Sequence, residues 1–389
     1  MRTERAKLKL GWGRIAICIL LLLLAGVLAL FFRHVTGMLP SQQAAGRWGG
    51  DAGRFAQVTV FLPQHNGLTQ GEVNGLISAL WRELQQEGLE PETPAGAPIF
   101  AYSAEGVLEG VASQYRGPID VYATGVGGNF FLFHPVQLIS GVYFPPEGFN
   151  QDLVLIDERM AWQLFGAIDV AGLELLIGGR SFLISGVYRP LSDFASRAAY
   201  GEMPHMFLYY SAMVALSGWS PITTMEAVLP NPISGLAEEM LREAIESAGV
   251  EEGEFILLNN TDRYGPLALF GVLREFGQRS MYRTGLRLPY WENAARMAED
   301  FAALALALIL LLLVYPLILA LRVLLDRWRR RKRRLKMARK KLEDIREKRR
   351  EAEWKSAHPS QDEVQQYDVD EIIRLVRESE DNDENEKEN

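Results

Sequence analysis

Two long apolar runs frame this chain and restrict what can lie between them. The first covers Ile15 to Phe32 (IAICILLLLLAGVLALFF) and the second Phe301 to Leu325 (FAALALALILLLLVYPLILALRVLL). Neither contains an acidic residue, and each is as long as a helix needs to cross a hydrocarbon core of about 30 Å. Arg2, Arg5, Lys7, Lys9 and Arg14 precede the first run; Arg327 to Arg334 (RWRRRKRR), then Lys336, Arg339, Lys340 and Lys341, follow the second. Positive charge stays on the cytoplasmic side, so both termini are predicted inside and residues from about 34 to 300 outside. A cleaved signal peptide would carry a shorter apolar core and a small-x-small site. Here the first run ends in FFRHVTGM, which predicts an uncleaved anchor. Pro316 inside the second run predicts a kink, tolerated where neighbouring groups compensate.

This frame divides the chain by composition and pattern. The expected parts are a cytoplasmic N-terminus (1–14), a membrane helix (15–33), a linker (34–54), an outer domain (55–264) and a stalk (265–300). A second membrane helix (301–325), a basic cytoplasmic helix (326–356) and an acidic, mostly disordered tail (357–389) with a short helix at 368–378 complete it.

Between Gly37 and Asp300 every lysine-or-arginine position is arginine, and acidic residues outnumber them about two to one. That charge argues against nucleic-acid binding and against an anionic-lipid face on the outer side. The one cysteine, Cys18, lies in the first apolar run, so no intramolecular disulfide can form. Chemistry-bearing motifs are missing. There is no G-x-x-x-x-G-K-[ST] loop and no H-E-x-x-H, and no G-x-S-x-G elbow occurs. The histidines (His34, His65, His134, His205 and His358) are isolated and read as surface or loop residues, and the pairs Glu238-Glu239 and Glu251-Glu252 as solvated faces. Asn259-x-Thr261 fits a glycosylation sequon, a pattern common by chance. The expectation is a protein that is not an enzyme, with no catalytic residue, no cofactor and no metal.

Within the outer region, Gly46 to Gly53 reads as a flexible exit from the membrane. Phe55 to Leu62 alternates like a strand, with Val58, Val60 and Leu62 on one face. Thr69 and Glu72 form a capping-box signature ahead of Val73, Leu76, Ile77, Leu80 and Leu84 at helical spacing, closed by Gly88. Pro98 to Ser103 and Ile119 to Thr124 read as strands. Met225 to Leu229, a helix over 232–249 and Phe255 to Leu258 repeat the strand–helix–strand pattern. The predicted class is therefore α+β: two transmembrane helices flanking an extracytoplasmic domain of split β-α-β type, sheet on one side and helices on the other. Residues of about 127–222 form an inserted, mostly β subdomain in this reading. Gly127, Gly128, Gly178 and Gly179 supply turns of positive φ, and Asp157-Glu158 opens a short helix.

The ordered pieces of that block carry a resemblance. Val121 to Phe144 (VYATGVGGNFFLFHPVQLISGVYF), Leu153 to Gly166 (LVLIDERMAWQLFG) and Ile168 to Val187 (IDVAGLELLIGGRSFLISGV) resemble the MacB-like periplasmic core domain of ABC-transporter permeases, a group that includes FtsX-like proteins. The matching positions are Asn129, Phe130, Phe131, Gly141, Phe144, Leu164, Phe165, Gly166, Asp169, Gly172, Ile177, Gly178, Phe182, Gly186 and Val187. In that family the core domain lies between the first and second of four or more membrane helices, whereas this chain has two. The resemblance implies the outer domain's fold and partners such as an ABC ATPase and permease or other core-domain subunits, in a homo- or hetero-oligomer. Each matched residue also has an ordinary packing role, so together they mark a fold rather than a reaction.

The flanking segments add docking expectations. Leu267, Leu269, Phe270, Leu273 and Phe276 suggest an amphipathic helix in the stalk, with Arg274, Arg279, Arg283 and Arg287 nearby. After the second span, Arg329, Arg330, Arg331, Lys332, Arg333 and Arg334 belong to a juxtamembrane cluster expected to meet anionic membrane lipid. Trp328, Leu335 and Leu342, with Ala338, Ile345 and Ala352, sketch a thin coiled-coil seam. Val369, Ile372, Ile373 and Val376 fall at i, i+3, i+4 and i+7, a small apolar face suited to a cytosolic partner. The leading expectation is a non-catalytic membrane subunit whose outer domain mediates protein or substrate contacts in an export or mechanotransmission assembly. The alternative is a two-pass scaffold or ligand sensor that signals through its cytoplasmic tail.

Overall fold

The computed structural model describes residues 12–49, 54–91, 96–146, 148, 150–279 and 287–357. The chain divides into two compact units, one of them Gly26–Ile309. The other holds the described residues 12–25 and 310–357, which are helical throughout.

In chain order the elements begin with α1 (Trp12–Gly37), α2 (Ala44–Gly49), β1 (Phe55–Phe61), α3 (Gln70–Gln86), β2 (Ile99–Val111) and β3 (Ile119–Gly128). There follow α4 (Phe130–Phe133), β4 (Gln137–Gly141), β5 (Leu153–Asp157), α5 (Glu158–Phe165), β6 (Glu174–Ile177), β7 (Arg180–Arg189) and α6 (Phe194–Tyr200). The rest are β8 (His205–Tyr209), α7 (Tyr210–Ser217), β9 (Thr224–Pro230), α8 (Leu236–Ser247), β10 (Ile256–Asn259), α9 (Pro266–Arg274) and α10 (Tyr290–Ala357). α1 and α10 each contain a stretch long and apolar enough to cross a membrane.

All strands join one mixed sheet in the order β10-β1-β9-β2-β3-β8-β5-β7-β4, with β6 also on β7. β9 runs antiparallel between β1 and β2, and β10 runs antiparallel on the other side of β1. This interleaves β1-α3-β2 with β9-α8-β10, the ferredoxin-like split β-α-β arrangement. β4 to β8, within the block of about 127–222 read as the insert, extend the same ladder beyond β3 through a parallel β3–β8 pair.

Local chemistry explains the helix limits. Thr69 and Glu72 form the full capping box: Glu72 N donates to Thr69 Oγ1 and Thr69 N to Glu72 Oε2 at 2.7 Å. Asp157 caps α5 by accepting from Met160 N at 2.7 Å, and Gly166 ends the helix with φ 70. α8 starts at Leu236, four residues later than the sequence pattern suggested, because Gly235 takes φ 95 ahead of it.

One face of the split β-α-β sheet packs Val58, Val60, Phe100, Tyr102 and Leu229 under α3 and α8 through Leu76, Leu80, Met240 and Leu241. A second core lies around Phe130, Phe133, Phe182, Tyr188 and Phe207. Each large side chain buried in this way contributes roughly 1.5–3 kcal/mol.

Several local expectations need correction. Of the stretch Gly46 to Gly53 read as a flexible exit, the first part closes a helix, Ala44–Gly49, with Ala44 and Ala45 buried because the opposite face of the sheet offers them an apolar seat, and residues 50–53 lie outside the described residues. β2 is longer than the strand read over Pro98 to Ser103: it runs on to Val111, paired with β3 over most of that extension. Gly128 has the expected positive φ of 64, but Gly127 does not. Its need is space, since a Cβ there would stand 2.1 Å from Cζ of Tyr102, its cross-strand partner. α10 begins ahead of the apolar run because Trp291, Ala294, Ala295 and Ala298 are buried against the domain.

Candidate functional site

Strand alternation sends every second side chain of β1 and β9 to the face away from α3 and α8. On β1 these are Gln57 and Thr59, and on β9 Glu226. Alternation alone would put them in water, yet Gln57 is 0% and Glu226 2% exposed. They are covered by the segment after α1, by α4 and the residue following it, and by the first turn of α10. Gln57 Oε1 accepts from Ala44 N at 2.9 Å, and its Nε2 donates to Ser41 O at 2.7 Å. Thr59 Oγ1 donates to Glu226 Oε1 at 3.2 Å and accepts from Asn260 Nδ2 at 2.7 Å. His134 Nε2 bonds Glu226 Oε2, and its ring sits 4.4 Å from that of Trp291, centroid to centroid. His134 is therefore not a surface histidine; it is 4% exposed and part of this network.

Beside this layer lies a buried ionic joint. Arg263, in the loop after β10, directs a fork at Glu292 of α10, with Nη1 to Oε2 and Nη2 to Oε1 both 2.7 Å. Its Nε donates to Glu299 Oε1 at 2.6 Å and its Nη1 to Gln42 Oε1 at 3.0 Å. Arg296 Nε reaches Glu292 Oε1 at 2.7 Å, and Arg279 Nη1 lies 3.1 Å from Glu299 Oε2. Burial alone would raise the Glu292 pKa, but the charges of Arg263 and Arg296 and their hydrogen bonds outweigh it and hold it below the usual carboxylate range. Burial likewise works against the Arg263 cation, and Glu292 and Glu299 more than offset it. One guanidinium thus ties three chain segments: the turn after α1, the loop after β10 and the start of α10.

A cleft of about 1110 Å³ opens elsewhere on the same unit, lined in part by His65, Tyr122, Tyr200, His205, Arg287 and Asn293. Glu105 stands behind Tyr122, accepting its hydroxyl at 2.9 Å, while the other carboxylate oxygen is buried without a hydrogen-bond partner. Burial pushes the Glu105 carboxyl up to about 7, against the Tyr122 hydrogen bond and Arg287. His205 stacks on Tyr200 at 4.0 Å, and burial, helped by Arg159, lowers it to about 4. Among the described residues no group of three or more His, Cys, Asp or Glu is placed to hold a metal ion. The Asn259 sequon forms a turn, with Asn259 Oδ1 accepting from Thr261 N at 3.1 Å and Thr261 Oγ1 accepting from Gln57 N at 2.9 Å.

Of the residues singled out from sequence, Arg329, Arg330, Arg331, Lys332, Arg333 and Arg334 lie exposed on α10, where Lys332 stands 3.8 Å over the Trp328 ring. Trp328, at the head of the seam, is exposed. Val369, Ile372, Ile373 and Val376 lie outside the described residues. The joint was missed. Its one legible signal was Glu292, Arg296 and Glu299 at i, i+4 and i+7 immediately ahead of an apolar span.

No protein-family model matches the sequence, and no curated protein matches it. Among solved structures, the extracellular domain of the noncanonic ABC-type transporter YknZ from Gram-positive bacteria aligns with a TM-score of 0.38 and 15% identity, covering 52% of this chain and 100% of that one. The periplasmic region of MacB from Actinobacillus actinomycetemcomitans aligns with a TM-score of 0.38 and 16% identity, covering 58% of this chain and 94% of that one.

Proposed function

We propose that this protein is a non-catalytic membrane subunit whose extracytoplasmic domain makes protein or substrate contacts in an export or mechanotransmission assembly. Its partners in this reading are an ABC ATPase and a permease or other core-domain subunits. The observation that carries it is the joint: α10 starts on the sheet, is clamped there through Glu292 and Glu299, and runs as one helix into the second apolar segment. A domain fastened so to a membrane helix passes displacement to it rather than swivelling on a linker. Both termini face the cytoplasm in this reading. There Arg329, Arg330, Arg331, Lys332, Arg333 and Arg334 meet anionic lipid, at about 1 kcal/mol per residue near the surface, and the 369–376 face docks a cytosolic partner.

Affinity purification of the full chain from membranes in mild detergent tests the assembly. Co-recovery of an ATPase or permease subunit is expected; the protein alone under several detergents and nucleotide states refutes it. A second reading, a scaffold or ligand sensor, draws on the cleft beside Tyr122 and His205. It requires that deleting residues 369–376 abolish a cytoplasmic response while leaving assembly intact.

A further inference from the structure

α9 presents two unlike faces. Leu269 and Val272 are buried, in a cluster with Val35, Leu39, Ala294, Ala295 and Ala298. On the other side Leu267 is 88% and Phe270 47% exposed, with Arg274 one turn further along the same stripe. Polar residues would be expected on the outward face of a helix surrounded by water. The buried cluster also fixes where α9 lies. It includes Ala302 and Ala303, in the opening turns of the second apolar run, and partly buried Phe32, the last residue of the first run, and Leu306 pack against it. At 1.5 Å per residue, Leu306 lies only about 8 Å beyond the start of that run. Leu30 and Phe31 on α1, with Phe301, Leu304 and Leu308 on α10, are exposed apolar residues within two positions of Phe32, Ala302, Ala303 or Leu306 in the chain. The outward face of α9 therefore continues the lipid-facing belt of the two spans.

We infer that α9 is an interfacial helix, with Leu267 and Phe270 seated in the headgroup–acyl boundary of the leaflet on the side of the folded domain. Short amphipathic segments of this kind bury their apolar face several ångströms into that boundary. Arg274, at the end of the helix, keeps its charge toward the headgroups while its stem lies along the apolar surface. α9 follows the Arg263 loop directly and packs on the first turns of α10, so lipid contact here would brace the joint at the membrane surface. The inference rests on the membrane-spanning reading of α1 and α10, and its test separates the two.

The full chain carrying Cys18→Ser is reconstituted in phosphatidylcholine vesicles and spin-labelled at one introduced cysteine: Phe270→Cys or Leu267→Cys, with Leu308→Cys as the span control and Val107→Cys as the aqueous control. Collision with oxygen relative to a water-soluble nickel chelate is read for each. The expected ratio at 267 and 270 is several-fold above that at 107 and approaches that at 308. A ratio at both α9 positions equal to that at 107, with 308 still lipid-immersed, overturns the interfacial assignment alone. A water-exposed 308 overturns the membrane reading beneath it. Spin–spin broadening between labels at 270 would show a second copy of the chain on this face and would also overturn it.

Discussion

Replacing Arg263 with methionine probes the joint most directly. The side chain is 3% exposed and supplies four hydrogen bonds, three of them to the buried carboxylates of Glu292 and Glu299. Removing one partner of a buried ion pair costs about 3–5 kcal/mol, because the other charge is left without compensation. Arg296 remains on Glu292 and Arg279 on Glu299, which places the loss at the lower end, about 3 kcal/mol. That corresponds to roughly a hundredfold rise in local opening, since each 1.4 kcal/mol is a factor of ten. Hydrogen exchange on the full chain in detergent reads it at the amides of 292–300 and 41–44, with β5 and β7 as unaffected references.

The pH dependence adds a second check. Glu292 has a lowered pKa in the folded protein, so its contribution is present above the unfolded value near 4.5 and is lost as pH falls. Without Arg263 its burial dominates, and protonation then relieves the folded state. The gap between variant and parent should close as pH falls toward 4.5. Exchange in Arg263→Met within about threefold of the parent at pH 7, under half a decade by the same conversion, would refute the clamp.

Three further outcomes follow from particular contacts. Glu105 has its folded pKa raised from 4.5 to about 7, so its stabilising effect is complete below pH 4.5 and lost as pH rises through 7. Glu105→Gln should match the parent at pH 4.5 and exceed it by up to about 3 kcal/mol at pH 8 in denaturant unfolding; equal stability at both pH values counts against a shielded carboxylate. Gly127→Ala forces a Cβ into the Tyr102 ring, which also packs edge-on to Tyr210, and should cost about 1–3 kcal/mol. An unchanged melting temperature would mean that the ring has room to move. Thr69→Ala removes the acceptor of the α3 capping box and should cost about 1 kcal/mol, seen as faster exchange in its first turn; no change there contradicts the capping account.

Much of the architecture is written in local pattern. Apolar length gave two helices long enough to cross a membrane, the Thr69–Glu72 spacing gave the start of α3, and Asp157 with Gly166 bounded α5, because each depends on residues close together in the chain. The two strand–helix–strand repeats were likewise visible at 55–103 and 225–258. Which face of β1 would be dry was not visible. Gln57, Thr59 and Glu226 look like solvent-side residues of alternating strands. They become interior only because α2, His134 and the start of α10 arrive from distant parts of the chain.

The same division holds for the two apolar runs and the residues that fasten them. The sequence by itself determined that two membrane-length helices flank an α+β domain, because length, apolarity and period are properties of contiguous residues. Only the tertiary structure decided that the second helix begins on the sheet, and that Arg263 meets Glu292 and Glu299 across 29 and 36 residues of chain. Ion pairing at that separation leaves no local pattern; it exists only once the fold has removed the water between those charges.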